Sequence, residues 1–258
     1  MISGLDGAVV LVTGGVRGVG AGISRSFLRS GATVVTCARR LAEVPVEAEG
    51  RAAEFLTCDI RDPDQVRGLV DQIVEQHGRL DVLVNNAGGS PFALAAEASP
   101  NFHSKIVELN LLAPLLVSQI VNTVMQKQDS GGSIVNISSV SGSRPSPGTA
   151  AYGAAKAGID SLTTSLAVEW APKVRVNSVV VGLVRTELAH LHYGDESGIA
   201  AVEETIPLRR MACPDDVGNC AVFLASPMAE YVSGSSLTVH GGGERPAFMA
   251  AATTEESN

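Results

Sequence analysis

The chain has 258 residues, with 27 acidic and 19 basic side chains and a net charge of −8. That balance argues against nucleic acid or an anionic membrane as a partner, since both are polyanions. With 45% hydrophobic residues, a chain of this length suffices for one α/β domain that buries about three quarters of its extended surface.

In chain order, Met1-Ile2-Ser3-Gly4-Leu5-Asp6 carries neither a basic region nor an apolar signal core, so a cytoplasmic location is the expectation. Ala8-Val9-Val10-Leu11-Val12 reads as a buried parallel strand. It leads into Thr13-Gly14-Gly15-Val16-Arg17-Gly18-Val19-Gly20, a glycine turn and helix start of the kind that presents backbone N–H groups to a pyrophosphate. Gly14 allows the tight turn, Gly18 the approach of the backbone to the phosphates, and Gly20 close helix packing. A second strand, Thr33-Val34-Val35-Thr36-Cys37, ends in Ala38-Arg39-Arg40, and a third ends at Thr57-Cys58-Asp59-Ile60. Helices are expected over roughly 63–77, 100–128 and 150–171, with Pro114 kinking or interrupting the second. Asp81-Val82-Leu83-Val84-Asn85-Asn86-Ala87-Gly88 is another apolar strand, and its two amides are placed to lock neighbouring strand ends together. No uninterrupted apolar run is long enough to span a bilayer. Alternating strands and helices without a Pro/Gly/Ser linker predict a single-domain, Rossmann-type α/β fold: a doubly wound parallel sheet with helices on both faces.

The residues richest in chemistry are Ser139, Tyr152 and Lys156. On a helix Tyr152 and Lys156 share a face, because residues four apart are one turn apart. A phenol has an ordinary pKa of about 10, and lowering it by roughly three units takes about 4 kcal/mol of preferential stabilisation of the phenolate. A neighbouring ammonium can supply much of that. Ser139 would hold a substrate oxygen while the tyrosine gives or takes a proton. Each motif alone is weak: Y-x-x-x-K pairs occur on exposed helices, and glycine turns occur in ordinary loops.

Taken together and in order, T-G-x-x-x-G-x-G at 13–20, N-N-A-G at 85–88, Asn110, Ser139 and Y-x-x-x-K at 152–156 resemble the short-chain dehydrogenase/reductase family, specifically its shorter, ketoreductase-like, single-domain subgroup. The resemblance covers about 5–243. It implies that Asn110, Ser139, Tyr152 and Lys156 are catalytic, Asn110 helping to hold a water chain to the lysine. It implies cofactor contacts from Gly14, Arg17, Gly18, Val19 and Gly20 at the turn, and from Arg39, Asp59 and Ile60 at the adenine end. Asn86, Ala87 and Gly88 would lie beside the adenine ribose, Tyr152 and Lys156 at the nicotinamide ribose, and Val184 and Thr186 near the carboxamide. The implied activity interconverts a secondary alcohol and a ketone, with hydride passing to or from the nicotinamide. Alternatives are a dehydratase or isomerase on the same fold, or a non-catalytic dinucleotide-binding regulator. NAD-preferring folds place an acid at the end of the second strand; here Ala38 stands there beside Arg39, with Arg17 in the turn. NADP(H) is therefore the expected cofactor, with NAD(H) also admitted. A homo-oligomer, tetramer or dimer, is the implied assembly.

Two positions depart from the family pattern. Val181 stands where proline is usual, which puts the placement of Val184 and Thr186 in question, and His240 stands where aspartate is common. Residues 187–210 correspond to a substrate lid. His190, His192, Asp195 and Glu196 have the residue types of a metal site, but lid residues that touch substrate are the preferred reading and no metal is expected. Cys37, Cys58, Cys213 and Cys220 contain no C-x-x-C pair and are read as buried free thiols. The tail 244–258 is expected to be disordered or at a subunit contact. Arg144 is read as facing solvent, with a substrate carboxylate as the alternative partner. Ketoacyl thioesters, ring ketones and sugar-like polyols all remain substrate candidates.

Overall fold

The computed structural model describes residues 4–40, 44–244, 246 and 248; nearly all of the tail lies outside the described residues. Strands β1 (Val9–Thr13), β2 (Thr33–Ala38), β5 (Glu54–Thr57), β6 (Val82–Asn85), β7 (Gly132–Ser139), β8 (Val174–Val181) and β9 (Ser236–Val239) form one sheet in the order β5-β2-β1-β6-β7-β8-β9. Every pairing in it is parallel. A two-residue pair, β3 (Glu47–Ala48) and β4 (Arg51–Ala52), makes a separate hairpin.

The apolar runs become central strands because both faces are covered. Val10 and Val12 pack with Val34, Val84 and Ile137 beneath helices α1 (Gly18–Arg29) and α8 (Pro214–Ala225). Val9 and Leu11 turn the other way, to Val35, Leu83 and Ile134, beneath α2 (Pro63–His77), α4 (Ala113–Met125) and α5 (Ala150–Glu169). The expected doubly wound sheet is thus present. Order reverses between β1 and β6, and in such folds the crevice for ligands opens at the carboxyl ends of the strands there.

Helix α2 spans the expected residues because local signals fix both ends. Asp62 accepts from the N–H groups of Asp64 and Gln65, Pro63 opens the first turn, and Gly78 ends the helix at φ 75°. The second expected helix differs. From α3 (Pro100–Val107) the chain runs helically through Met125, and Pro114 does not interrupt it. A π turn at Glu108–Leu112, with the Ala113 N–H donating to the Glu108 carbonyl, takes up the misfit just ahead of the proline. By length and composition this helix could cross a membrane. Its Ile106, Ala113, Val117, Val121 and Met125 are instead buried in the fold.

Candidate functional site

The first signal in the sequence, the turn after β1, is built as expected. Gly14 has φ 63° and Gly18 φ 51°, backbone regions that side chains rarely adopt. A Cβ on Gly20 would lie 2.2 Å from the Gly14 carbonyl oxygen, so only glycine lets α1 start so close to the turn. The N-cap residue Arg17 makes no side-chain cap, and the first turn of α1 carries no acid. An N-terminus of that kind suits a phosphate.

The amides at the end of β6 lock the strand ends beside this turn. Asn86 Nδ2 donates to the carbonyls of Thr13 and Gly14 at 2.9 and 3.2 Å, and Thr13 Oγ1 accepts from the N–H groups of Asn86 and Ala87. Asn85 turns inward, donating to Ser118 Oγ at 2.7 Å and Asn136 Oδ1 at 2.9 Å.

All the expected cofactor positions, together with Ser139, line one cleft of ≈ 550 Å³ over the crevice between β1 and β6. Asn110 does not line it. It lies fully buried in the π turn, where Oδ1 accepts from the Gly89 N–H at 2.8 Å and Nδ2 donates to the Gly89 and Ile106 carbonyls. The space a Cβ of Gly88 would need is 2.6 Å from Asn110 Oδ1 and 3.6 Å from Lys156 Nζ. Asparagine and lysine therefore meet at Gly88.

At the inner end β7 delivers Ser139, and α5 delivers Tyr152 and Lys156. Lys156 is 4% exposed, its ammonium donates to the Ile137 carbonyl at 2.7 Å, and it sits 5.5 Å from the Tyr152 ring centroid. Burial pushes the ammonium down to about 8, with Asp160 pulling the other way. Burial also pushes the Tyr152 phenol up, against a smaller pull from the Ser139 hydroxyl. The sequence-based expectation of a phenol depressed by lysine is thus not what this geometry produces. Desolvation is the larger effect, and the ammonium is directed at the Ile137 carbonyl.

The chain leaves β8 in order despite Val181. That valine pairs with Ser139 and Val239 as an ordinary strand residue, and Val184 then bridges to Ala212. Val184 and Thr186 thereby reach the cleft without the proline. At His240 the contact is steric: a Cβ on Gly182 would lie 2.7 Å from the His240 Cβ.

Sequence reasoning missed two contacts. Glu187 Oε1 accepts from the Gly18 N–H at 3.0 Å, tying the segment after Thr186 to the start of α1. Arg61 binds the Asp59 carboxylate and lines the cleft. The Glu187 contact belongs to no local pattern, whereas an arginine two residues beyond an acid at a strand end was a signal available for Arg61. His190, His192, Asp195 and Glu196 do not converge: Asp195 caps α7 (Glu196–Thr205), Glu196 pairs with Arg185, and no metal-holding group of three is found among the described residues. Arg144 pairs with Glu244 rather than standing alone. Of the cysteines, Cys37 and Cys58 are buried, whereas Cys213 is exposed and Cys220 only partly covered.

Comparison with known proteins agrees with this architecture. The family model described as enoyl-(acyl carrier protein) reductase matches residues 14–244. The 3-oxoacyl-[acyl-carrier-protein] reductase FabG of Thermotoga maritima is 35% identical over 244 residues, 92% of this chain and 98% of that protein. The 3alpha-hydroxysteroid dehydrogenase of Mediterraneibacter gnavus is 36% identical over 245 residues, 92% of this chain and 97% of the relative. Among solved structures, the ligand-free aldohexose dehydrogenase of Thermoplasma acidophilum superposes with a TM-score of 0.87 at 30% identity, covering 98% of both chains.

Proposed function

The chain belongs to the short-chain dehydrogenase/reductase family, and on that premise we propose that it is an NADP(H)-dependent oxidoreductase interconverting a secondary alcohol and a ketone with Tyr152 as the proton-transfer group. The observation that carries the reading is the meeting of Ser139, Tyr152 and Lys156 at the inner end of a cleft whose outer end is the glycine turn. A dinucleotide held by the glycine turn and by Lys156 would supply or accept the hydride. Ser139 holds the substrate oxygen, and Tyr152 passes the proton to or from it. Lys156 would hold the nicotinamide ribose and relay the replacement proton, with Asn110 fixing the Gly89 backbone beside it. Tyr152 gives its proton in the reductive direction and takes it back in the oxidative one.

NADP(H) preference is supported by Arg17 and Arg39, both exposed at the outer end of the cleft, and by the lack of an acid at Ala38. Residues 1–243 act as one cofactor-binding and catalytic domain, with 187–210 as its substrate lid. The free cysteines fit a cytoplasmic location. Exposed Leu112 and Val168 support burial in a homo-oligomer, which the reading takes to be a tetramer.

A panel of ketoacyl thioesters, ring ketones and sugar-like ketones, assayed with NADPH by loss of nicotinamide absorbance, tests the reading. Turnover of at least one class is expected. Turnover of a β-hydroxy compound without any redox change would replace the reading with a dehydratase.

A further inference from the structure

Arg61 clamps Asp59 at the outer end of the cleft. Its Nε donates to Oδ1 at 2.9 Å, its Nη2 to Oδ2 at 2.5 Å, and its backbone N–H to Oδ1 at 3.1 Å. Both residues are partly buried, and both line the cleft together with Arg17 and Arg39. Among the described residues, Arg17 and Arg39 make no ion pair. The Asp59 carboxyl is held below its ordinary range first by Arg61 and, more weakly, by the charge of Arg39. Asp59 thus lines the same cleft as Arg39, and one guanidinium already occupies both of its oxygens.

From this geometry we propose that Arg61 is a cofactor-specificity residue that acts through Asp59. By binding the carboxylate at both oxygens it keeps Asp59 from pairing with Arg39, and so leaves Arg39 and Arg17 for a ribose 2′-phosphate. The inference rests on the NADP(H) reading above. A carboxylate near a 2′-phosphate repels it by charge; Asp59 released from Arg61 would act in that sense, both by repulsion and by drawing Arg39 away. The planar, bidentate fork is specific to arginine, and lysine would replace its charge without its geometry.

The test is a cycle of Arg61→Gln, Asp59→Asn and the double variant, with kcat and KM measured for NADPH and NADH. Arg61→Gln is expected to lower the NADPH-over-NADH preference about tenfold, through KM for NADPH rather than kcat. Adding Asp59→Asn is expected to bring the preference back to within about threefold of Asp59→Asn alone, because the acid that Arg61 restrains is gone. A purely structural Arg61 would weaken both cofactors alike and would not be repaired by the second change. A wild type that prefers NADH overturns the NADP(H) reading. A wild type that prefers NADPH, with Arg61→Gln unchanged in preference or unrepaired in the double variant, overturns the role of Arg61 alone.

Discussion

At the outer end of the cleft Arg17 and Arg39 stand exposed to water, whereas at the inner end Lys156 is 4% exposed and its ammonium is pushed down to about 8. Guanidinium groups stay charged at any working pH and are weakly hydrated, so they suit recognition of a permanent anion. A buried ammonium near pH 8 can gain and lose its proton, which suits proton supply. The same cleft thus uses fixed charge where a ligand has to be held and adjustable charge where a proton has to move. The cost falls on stability: burying a charged lysine opposes folding.

That cost gives the largest expected effect. Between about pH 8 and the ordinary lysine value of 10.5, the unfolded chain holds the proton that the folded chain has lost, so stability rises with pH across this window. Below about 8 the penalty is present in full. Lys156→Met is expected to reduce turnover by about a thousandfold or more. It is also expected to stabilise the protein at pH 7 by about 2 kcal/mol, the desolvation relieved less the lost bond to the Ile137 carbonyl. Urea unfolding of both proteins at pH 7 and pH 10 checks this, with the difference shrinking at the higher pH. A variant less stable at pH 7 would show that the buried ammonium is better compensated than its surroundings suggest.

At the outer end the effect is on selectivity. Ala38→Asp combined with Arg39→Ile is expected to invert cofactor preference, a change of about one to several orders of magnitude in the ratio of kcat/KM for NADPH to that for NADH. Arg39→Ile alone should move stability by less than about 0.5 kcal/mol because Arg39 is exposed. An unchanged ratio would mean that neither residue meets the ribose.

Between the two ends, Gly20→Ala tests the backbone that joins them. Its Cβ would fall 2.2 Å from the Gly14 carbonyl oxygen and 2.5 Å from Asn86 Nδ2, a misfit expected to cost about 1–3 kcal/mol of stability. Cofactor affinity should weaken more at the turn than the loss of stability alone would produce. Thermal unfolding and NADPH titration separate the two effects.

The fold was legible because its signals are local. The apolar runs of β1 and β2, the Asp62-Pro63 start and Gly78 end of α2, and the glycines at 14, 18 and 20 each impose their own geometry. The cleft positions followed from ordered motifs rather than from any one residue. The features that escaped depend on the packed chain. The π turn ahead of Pro114 reflects how a long helix settles on the sheet, the Glu187 contact joins residues 169 positions apart, and the shifts at Tyr152 and Lys156 come from burial that no spacing encodes. Arg61 lies only two residues from Asp59, yet its pairing becomes meaningful only once Arg39 is seen in the same cleft.

Tyr152→Phe removes the hydroxyl and keeps the ring, and so divides proton transfer from cofactor binding at the inner end of the cleft. NADPH titration and steady-state turnover of the same preparation should give an affinity within about twofold of wild type and a rate lower by at least about a hundredfold. Retention of more than about a tenth of the wild-type rate, or a loss of affinity in proportion to the loss of rate, would contradict the account.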